Sequence, residues 1–140
     1  MNIKHLDWND YHSYIDKLAK KITAKSQAGK CPKYKYVAGV EIDDMLVAVH
    51  LSHKLKIRVI IDINLLSLLL NITDRSEEVL VVSNIVDTGN TFKNIMNQMD
   101  CSFDTAALFK DKESKFKPTH HVEIPISHVY FPWEQCGIVL

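Results

Sequence analysis

The chain has 140 residues, a length that suits one compact domain around one core. Lysine plus arginine and aspartate plus glutamate both number 17, and this balance argues against non-specific binding to nucleic acid, which needs a cationic surface. The longest apolar stretch, Val59 to Ile72, is interrupted by Asp62, Asn64, Ser67 and Asn71 and is too short to span a bilayer.

Asp7 or Asn9 can cap a first helix, in which Trp8, Tyr11, Ile15, Leu18 and Ile22 recur at spacings of three and four as an inward stripe. That helix should end before Gly29, with Pro32 beyond it. A first strand is expected over Tyr34 to Val40. A helix is expected over Met45 to Leu55, with Leu46, Val49 and Leu55 inward. Arg58 to Ile63 reads as a second strand, rich in Ile and Val. Leu65 to Ile72 is ambiguous, and its short length and flanking asparagines favour a strand. Glu78 to Ser83 is apolar enough for a central parallel strand. Thr91 to Asp100 reads as a helix with Phe92, Ile95, Met96 and Met99 inward. Thr105 to Phe109 and Val122 to Ile126 complete five strands. The run from Lys110 to Lys117 alternates charge and reads as a solvated loop, and His120-His121 as a loop without a task.

Strands alternating with helices predict an α/β fold with a mostly parallel central sheet covered on both faces, over residues 1–140 as a single domain. Cys31, Cys101 and Cys136 show no CxxC spacing and read as free thiols of a reducing compartment. The N-terminus MNIKHLDWND has no apolar core of a signal peptide. A cytoplasmic protein is therefore expected.

The sharpest local signal is VLVVSNIVDTGNTF, residues 79–92: a buried strand, a short polar loop and a helix start. A helix N-terminus offers unpaired N–H groups and the positive end of a dipole. Gly89 allows close backbone approach to an anion, and Thr88 and Thr91 add hydroxyls. An ordinary capped turn has the same look, and Asp87 could simply cap the helix.

The same stretch resembles the phosphoribosyl pyrophosphate motif of type I phosphoribosyltransferases. Leu6-Asp7-Trp8, Gly39-Val40 with Met45 to Leu55, Phe109-Lys110, and Tyr130-Phe131-Pro132-Trp133-Glu134 resemble, in order, other segments of the microbial purine members. The resemblance implies a phosphoribosyltransferase-like fold with a small C-terminal hood. It implies a purine base joined to ribose 5-phosphate, with pyrophosphate released and Mg²⁺ as cofactor. Asp87, Thr88, Gly89, Asn90 and Thr91 would hold the 5-phosphate, with Asp87 as the catalytic acid–base group at purine N7. Lys110 would read a 6-oxo group, His128 would stack on the base and Val129 would give backbone contacts. Trp133 reads as a core or rim aromatic. His50 and His53, at i, i+3 spacing, have a structural role as the better reading than metal binding. Related enzymes form dimers or tetramers, so a homo-oligomer is implied too.

Two departures bear on chemistry. Ser83 and Asn84 replace the acidic pair that holds the ribose hydroxyls, and they keep only hydrogen-bonding capacity. Ile42-Asp43-Asp44 replaces the Arg-Gly-Gly of the pyrophosphate loop. Asp43 and Asp44 could recruit Mg²⁺, although a helix cap is the preferred reading. The interval from Arg58 to Glu78 also leaves little room for the mobile loop of the family. The expected function is binding of a purine nucleoside monophosphate or related phosphorylated nucleoside, with transfer reduced or lost. The alternatives are an active 6-oxopurine salvage enzyme using phosphoribosyl pyrophosphate, and a non-catalytic interaction domain.

Overall fold

The computed structural model describes residues 3–60, 62, 64, 66, 68, 78–99, 102–123 and 128–136. A short strand, β1 (Ile3–His5), leads into α1 (Trp8–Gln27). The Asp7 carboxylate accepts the Asp10 N–H at 2.7 Å, and the Asp10 carboxylate accepts the Asp7 N–H at 3.2 Å. This reciprocal capping box satisfies two donors that the first turn would otherwise leave open. Tyr11, Ile15, Leu18 and Ile22 are buried as the stripe predicts. Burial of each aliphatic side chain is worth about 1.5–3 kcal/mol. Trp8 departs from the stripe: it is 48% exposed, lying over the edge of Tyr11 and beside Trp133.

Then follow β2 (Tyr36–Gly39), α2 (Ile42–Leu55), β3 (Arg58–Ile60), β4 (Val79–Val86), α3 (Asn90–Met99), β5 (Asp104–Lys110), β6 (His120–Glu123) and β7 (His128–Tyr130). A 3-10 turn, Pro132–Cys136, closes the described chain. Among the described residues, five strands form one parallel sheet in the order β3-β2-β4-β5-β6. β1 and β7 pair in parallel as a separate ribbon. β4 is central, as its unbroken apolar run predicts. It feeds Leu80 and Val82 to a core under α1 and α2, and Val79 and Val81 to a second core with α3.

Several expectations need correction. α2 starts three residues before Met45. Its buried face is Asp44, Val47, Ala48, Leu51 and Ser52, while Leu46 is 36% exposed and Val49 and Leu55 are half-buried. The earlier start rotates the stripe, because Gly39 lets the first turn of α2 press on β2: a Cβ at Gly39 would meet Met45 Sδ at 2.8 Å. In the stretch read as a strand from Leu65, Asn64, Leu66 and Leu68 are helical. Asp62 starts that helix, its carboxylate accepting the Asn64 N–H and its carbonyl the Leu66 N–H. Ile61, Ile63 and the rest of that stretch lie outside the described residues, as do Asp100, Cys101 and Ile124 to Ile126. The β1–β7 ribbon was not foreseen, since three-residue strands leave no period to read.

His120-His121 belongs to β6 rather than to a loop. His120 is fully buried, with Nε2 2.9 Å from the Tyr34 hydroxyl and Nδ1 3.4 Å from Lys25 Nζ. Tyr34 gives its proton to Asp104, so His120 donates Nε2–H to the Tyr34 oxygen and Nδ1 accepts from Lys25. Burial pushes the His120 imidazole down to about 4, helped by the Lys25 charge and opposed by Asp104. Cys31 is a free thiol, pushed up by burial. Among the described residues, no helix is long and apolar enough to cross a membrane.

Candidate functional site

Strand order reverses between β2 and β4: from β2 the chain steps outward to β3, and from β4 it steps the other way to β5. Ligands of open parallel sheets bind at the carboxyl ends of strands at such a point. There the N-termini of α2 and α3 face one another across a cleft of about 180 Å³. One wall is Glu41, Asp43 and Asp44, the floor is Ser83 and Asn84, and the other wall is Asp87, Thr88, Gly89 and Thr91. Thus eight of the candidate site residues read from the sequence are brought to one place, with Glu41 added. Asn90 is the exception within the phosphate loop: it is exposed and does not line the cleft.

The loop from Asp87 to Thr91 joins β4 to α3 along one wall of the cleft. Gly89 has φ +80°, in the left-handed region that favours glycine. The Gly89 carbonyl accepts the Lys93 N–H at 3.1 Å, the first bond of α3. The Thr88 hydroxyl accepts the Asn90 N–H at 3.2 Å, so Thr88 shapes the turn while lining the cleft. Behind Gly89 lies Phe116, close enough that a Cβ on residue 89 would fall 2.1 Å from the Phe116 Cβ. Phe116 stacks on Phe92 of α3 at 5.4 Å and 22°. The alternating-charge run is therefore not merely a solvated loop: Lys112, Glu113, Lys115 and Lys117 are exposed, while Phe116 clamps the phosphate loop from outside.

The opposite wall is acidic and closely bonded to the floor. α2 begins with Glu41 as its cap residue, so Asp43 and Asp44 stand in its first turn rather than as the cap. Acids there are stabilised by the helix dipole. Asp44 Oδ1 accepts the Asn84 N–H at 2.9 Å and the Ser83 hydroxyl at 3.2 Å, and Oδ2 accepts the Glu41 N–H at 3.1 Å. Asp43 Oδ1 accepts the Asp44 N–H at 3.1 Å, and Oδ2 accepts the Asn84 side-chain amide at 3.2 Å. The Ser83 proton is shared with the Ile85 carbonyl, 3.1 Å away. Asp44 is 4% exposed and Asn84 3%. Burial pushes the Asp44 carboxyl up to about 6, with the Asp43 charge adding and the accepted N–H bonds opposing. The two segments are therefore joined to each other: Ser83 and Asn84 on β4 are bonded by the acids Asp43 and Asp44 of α2.

The sign of the cleft follows. Its lining carries Glu41, Asp43, Asp44 and Asp87 and neither lysine nor arginine. Two like charges about 4 Å apart repel by roughly 4 kcal/mol at an effective dielectric near 20.

The base-reading residues lie elsewhere. Lys110 ends β5 beside Val86, half-buried, and donates to the carbonyls of Asp111 (3.3 Å) and Ser114 (3.2 Å). His128 is exposed on β7, edge-on to Tyr130 at 4.8 Å, and Val129 is buried in the core. None of these three lines the cleft. Trp133 is a core aromatic as expected, 4.9 Å from Phe131 and 5.2 Å from Tyr11. His50 is structural: its Nδ1 is 2.7 Å from the Tyr11 hydroxyl. Among the described residues, no group of three or more His, Cys, Asp or Glu is arranged to hold a metal.

Solved structures share this architecture. A Helicobacter pylori xanthine-guanine-hypoxanthine phosphoribosyltransferase superposes with a TM-score of 0.73 at 22% identity, over 95% of this chain and 94% of that one. A purine phosphoribosyltransferase from Pyrococcus horikoshii gives 0.72 at 20% identity, over 100% and 99%. A hypothetical protein from Neisseria gonorrhoeae with bound ppGpp gives 0.72 at 16% identity, over 95% and 89%. No protein-family model matches the chain, and no curated protein matches it by sequence. At these identities the likeness is one of fold: the chain has the type I phosphoribosyltransferase fold, in the form that purine phosphoribosyltransferases share.

Proposed function

We propose that the chain binds a purine nucleoside monophosphate or related phosphorylated nucleoside in the upper cleft, with phosphoribosyl transfer reduced or lost. One observation carries this reading: Asp43 and Asp44 stand on the pyrophosphate side of the cleft and bond Ser83 and Asn84 across it. A leaving diphosphate would meet carboxylates where it needs cations. A monophosphate would need only the loop from Asp87 to Thr91, which lies on the wall opposite Asp43 and Asp44 and carries a single acid, Asp87.

Mg²⁺ would have to bridge that repulsion for the chain to act as a salvage enzyme. The donor set does not fit it. Asp44 Oδ1 already accepts two hydrogen bonds, and among the described residues no third carboxylate, histidine or cysteine joins Asp43 and Asp44 in an arrangement that could hold a metal. The arrangement suits N–H and O–H donors better than a small cation with octahedral demands.

The test has two steps. Protein, Mg²⁺, phosphoribosyl pyrophosphate and each of guanine, hypoxanthine and xanthine are followed by absorbance, with no turnover expected; turnover would discard the binding-only reading. Melting is then recorded with the three corresponding monophosphates and with ppGpp, which the gonococcal neighbour carries. A ligand at 100 times its dissociation constant adds about 2.7 kcal/mol. The monophosphates should stabilise the parent and not Thr91→Ala, whereas stabilisation by ppGpp that survives Thr91→Ala comes from outside this cleft. A wholly inert melting curve would leave the fold as an interaction domain.

A further inference from the structure

At the other end of the sheet, where the strands begin, the C-terminal ends of α1 and α2 frame a groove of about 1070 Å³. Its floor is apolar, built from Ile22, Leu55 and Ile57, which belong to the core under α1 and α2. Its rim carries Lys33, Lys35, Lys56 and Arg58, all exposed, and no acid lines it. Lys35 pairs with Glu78 at 3.2 Å. Lys33, Lys56 and Arg58 make no ion pair among the described residues. The Tyr34 hydroxyl, also at the groove, is committed to Asp104 and His120.

A second feature singles out Lys56. It has φ 58° and ψ 45°, the left-handed position after a helix that glycine normally fills. Lysine there is strained, and the strain places a cation on the rim. Glycine would close the same turn at lower cost.

We propose that this groove is a second ligand site, distinct from the upper cleft, for a nucleoside oligophosphate. The flat base would lie on the apolar floor against Leu55 and Ile57, and the phosphates would meet the cationic rim. The volume is ample for a ligand of that size. The floor gives a reason for a base, which a bare polyphosphate lacks. The rim gives a reason for several charges, which the acidic upper cleft opposes.

The experiment is calorimetric titration of the full chain with guanosine 5′-triphosphate without Mg²⁺, at 50 and 300 mM salt. Inorganic tripolyphosphate and a ten-nucleotide single-stranded RNA are run in parallel. Binding should weaken at least tenfold at the higher salt. K33Q/R58Q should weaken it at least tenfold, and T91A in the upper cleft should leave it unchanged. K56G should raise the melting temperature while weakening binding several-fold, a pairing that misfolding does not produce. The proposal falls if the triphosphate does not bind, or if the rim variants bind as the parent does. It falls also if tripolyphosphate binds as tightly, which makes the rim a non-specific cation patch. Tighter binding of RNA would overturn it in favour of a nucleic-acid surface.

Discussion

The two ends of the central sheet are electrostatic opposites. At the carboxyl ends of the strands, the cleft holds Glu41, Asp43, Asp44 and Asp87 with no cation. At the amino ends, the groove is lined by Lys33, Lys35, Lys56 and Arg58 and, among the described residues, by no acid, with Glu78 beside it paired to Lys35. A chain whose charges sum to zero is thus polarised along its strands. The upper end has a glycine-bearing loop at the start of α3, proposed above to hold a phosphate, between walls that would limit the negative charge of a ligand. The lower end has charge without such a loop. Net charge, used alone, excludes neither kind of anion, because clefts lined by one sign act locally.

The largest effect should come from that glycine-bearing loop itself. Gly89→Ala places a Cβ against Phe116 at a φ that alanine resists. A loss of about 3 kcal/mol is expected in a denaturant titration, together with loss of monophosphate stabilisation. An unchanged midpoint would mean that Phe116 moves aside freely. Next is the acidic wall. The double variant Asp43→Asn/Asp44→Asn should raise affinity for inorganic pyrophosphate about 10–100-fold by calorimetry, a screened fraction of the bare repulsion. Equal affinities would show that the acids do not face the polyanion. A smaller change is expected for Phe116→Ala, roughly fivefold weaker binding of a monophosphate with no change for the free nucleoside. Phe116→Leu should restore most of it, because Phe116 acts on the phosphate through Gly89 and Phe92.

What the sequence could and could not disclose follows from the range of the forces involved. The Asp7 cap, the stripe from Tyr11 to Ile22 and the apolar run of β4 are local patterns, and each is where its period puts it. The strand–loop–helix junction at 79–92 was legible because its apolar run, glycine and threonines are contiguous. The bonding of Asp44 to Asn84 joins residues 40 positions apart, and no period connects them. The sequence did reveal two departures from the motif, but not that each is the other's hydrogen-bond partner. The start of α2 was misplaced because Glu41 caps it, and that turn can close only because Gly39 leaves room. Phe116 went unremarked inside a run of charges, although one large aromatic in such a run signals an anchor. His120 looked idle because its partners, Tyr34 and Lys25, come from the segment before β2 and from the end of α1.

The least visible consequence of the polarity is in pH dependence, where the two ends should nearly cancel. Asp44 has its folded pKa raised from 3.8 to about 6, so the folded state holds the proton more tightly than the unfolded chain. Its contribution is full below pH 4 and is lost as pH rises through 6. His120 has its folded pKa lowered from 6.5 to about 4, so the unfolded chain holds that proton more tightly. Its contribution is full above pH 6.5 and is lost as pH falls through 4. Between pH 4 and 6.5 the two slopes oppose, and stability of the parent chain should change by only about 1 kcal/mol, given that one pKa unit is worth 1.36 kcal/mol. Asp44→Asn removes the rising limb on acidification, so stability should then fall by roughly 2 kcal/mol from pH 6.5 to 4. His120→Gln removes the falling limb, so stability should instead rise over the same interval. Chemical denaturation of the three chains at four pH values reads the signs directly. If both variants slope the same way as the parent, then neither buried group titrates where its surroundings place it.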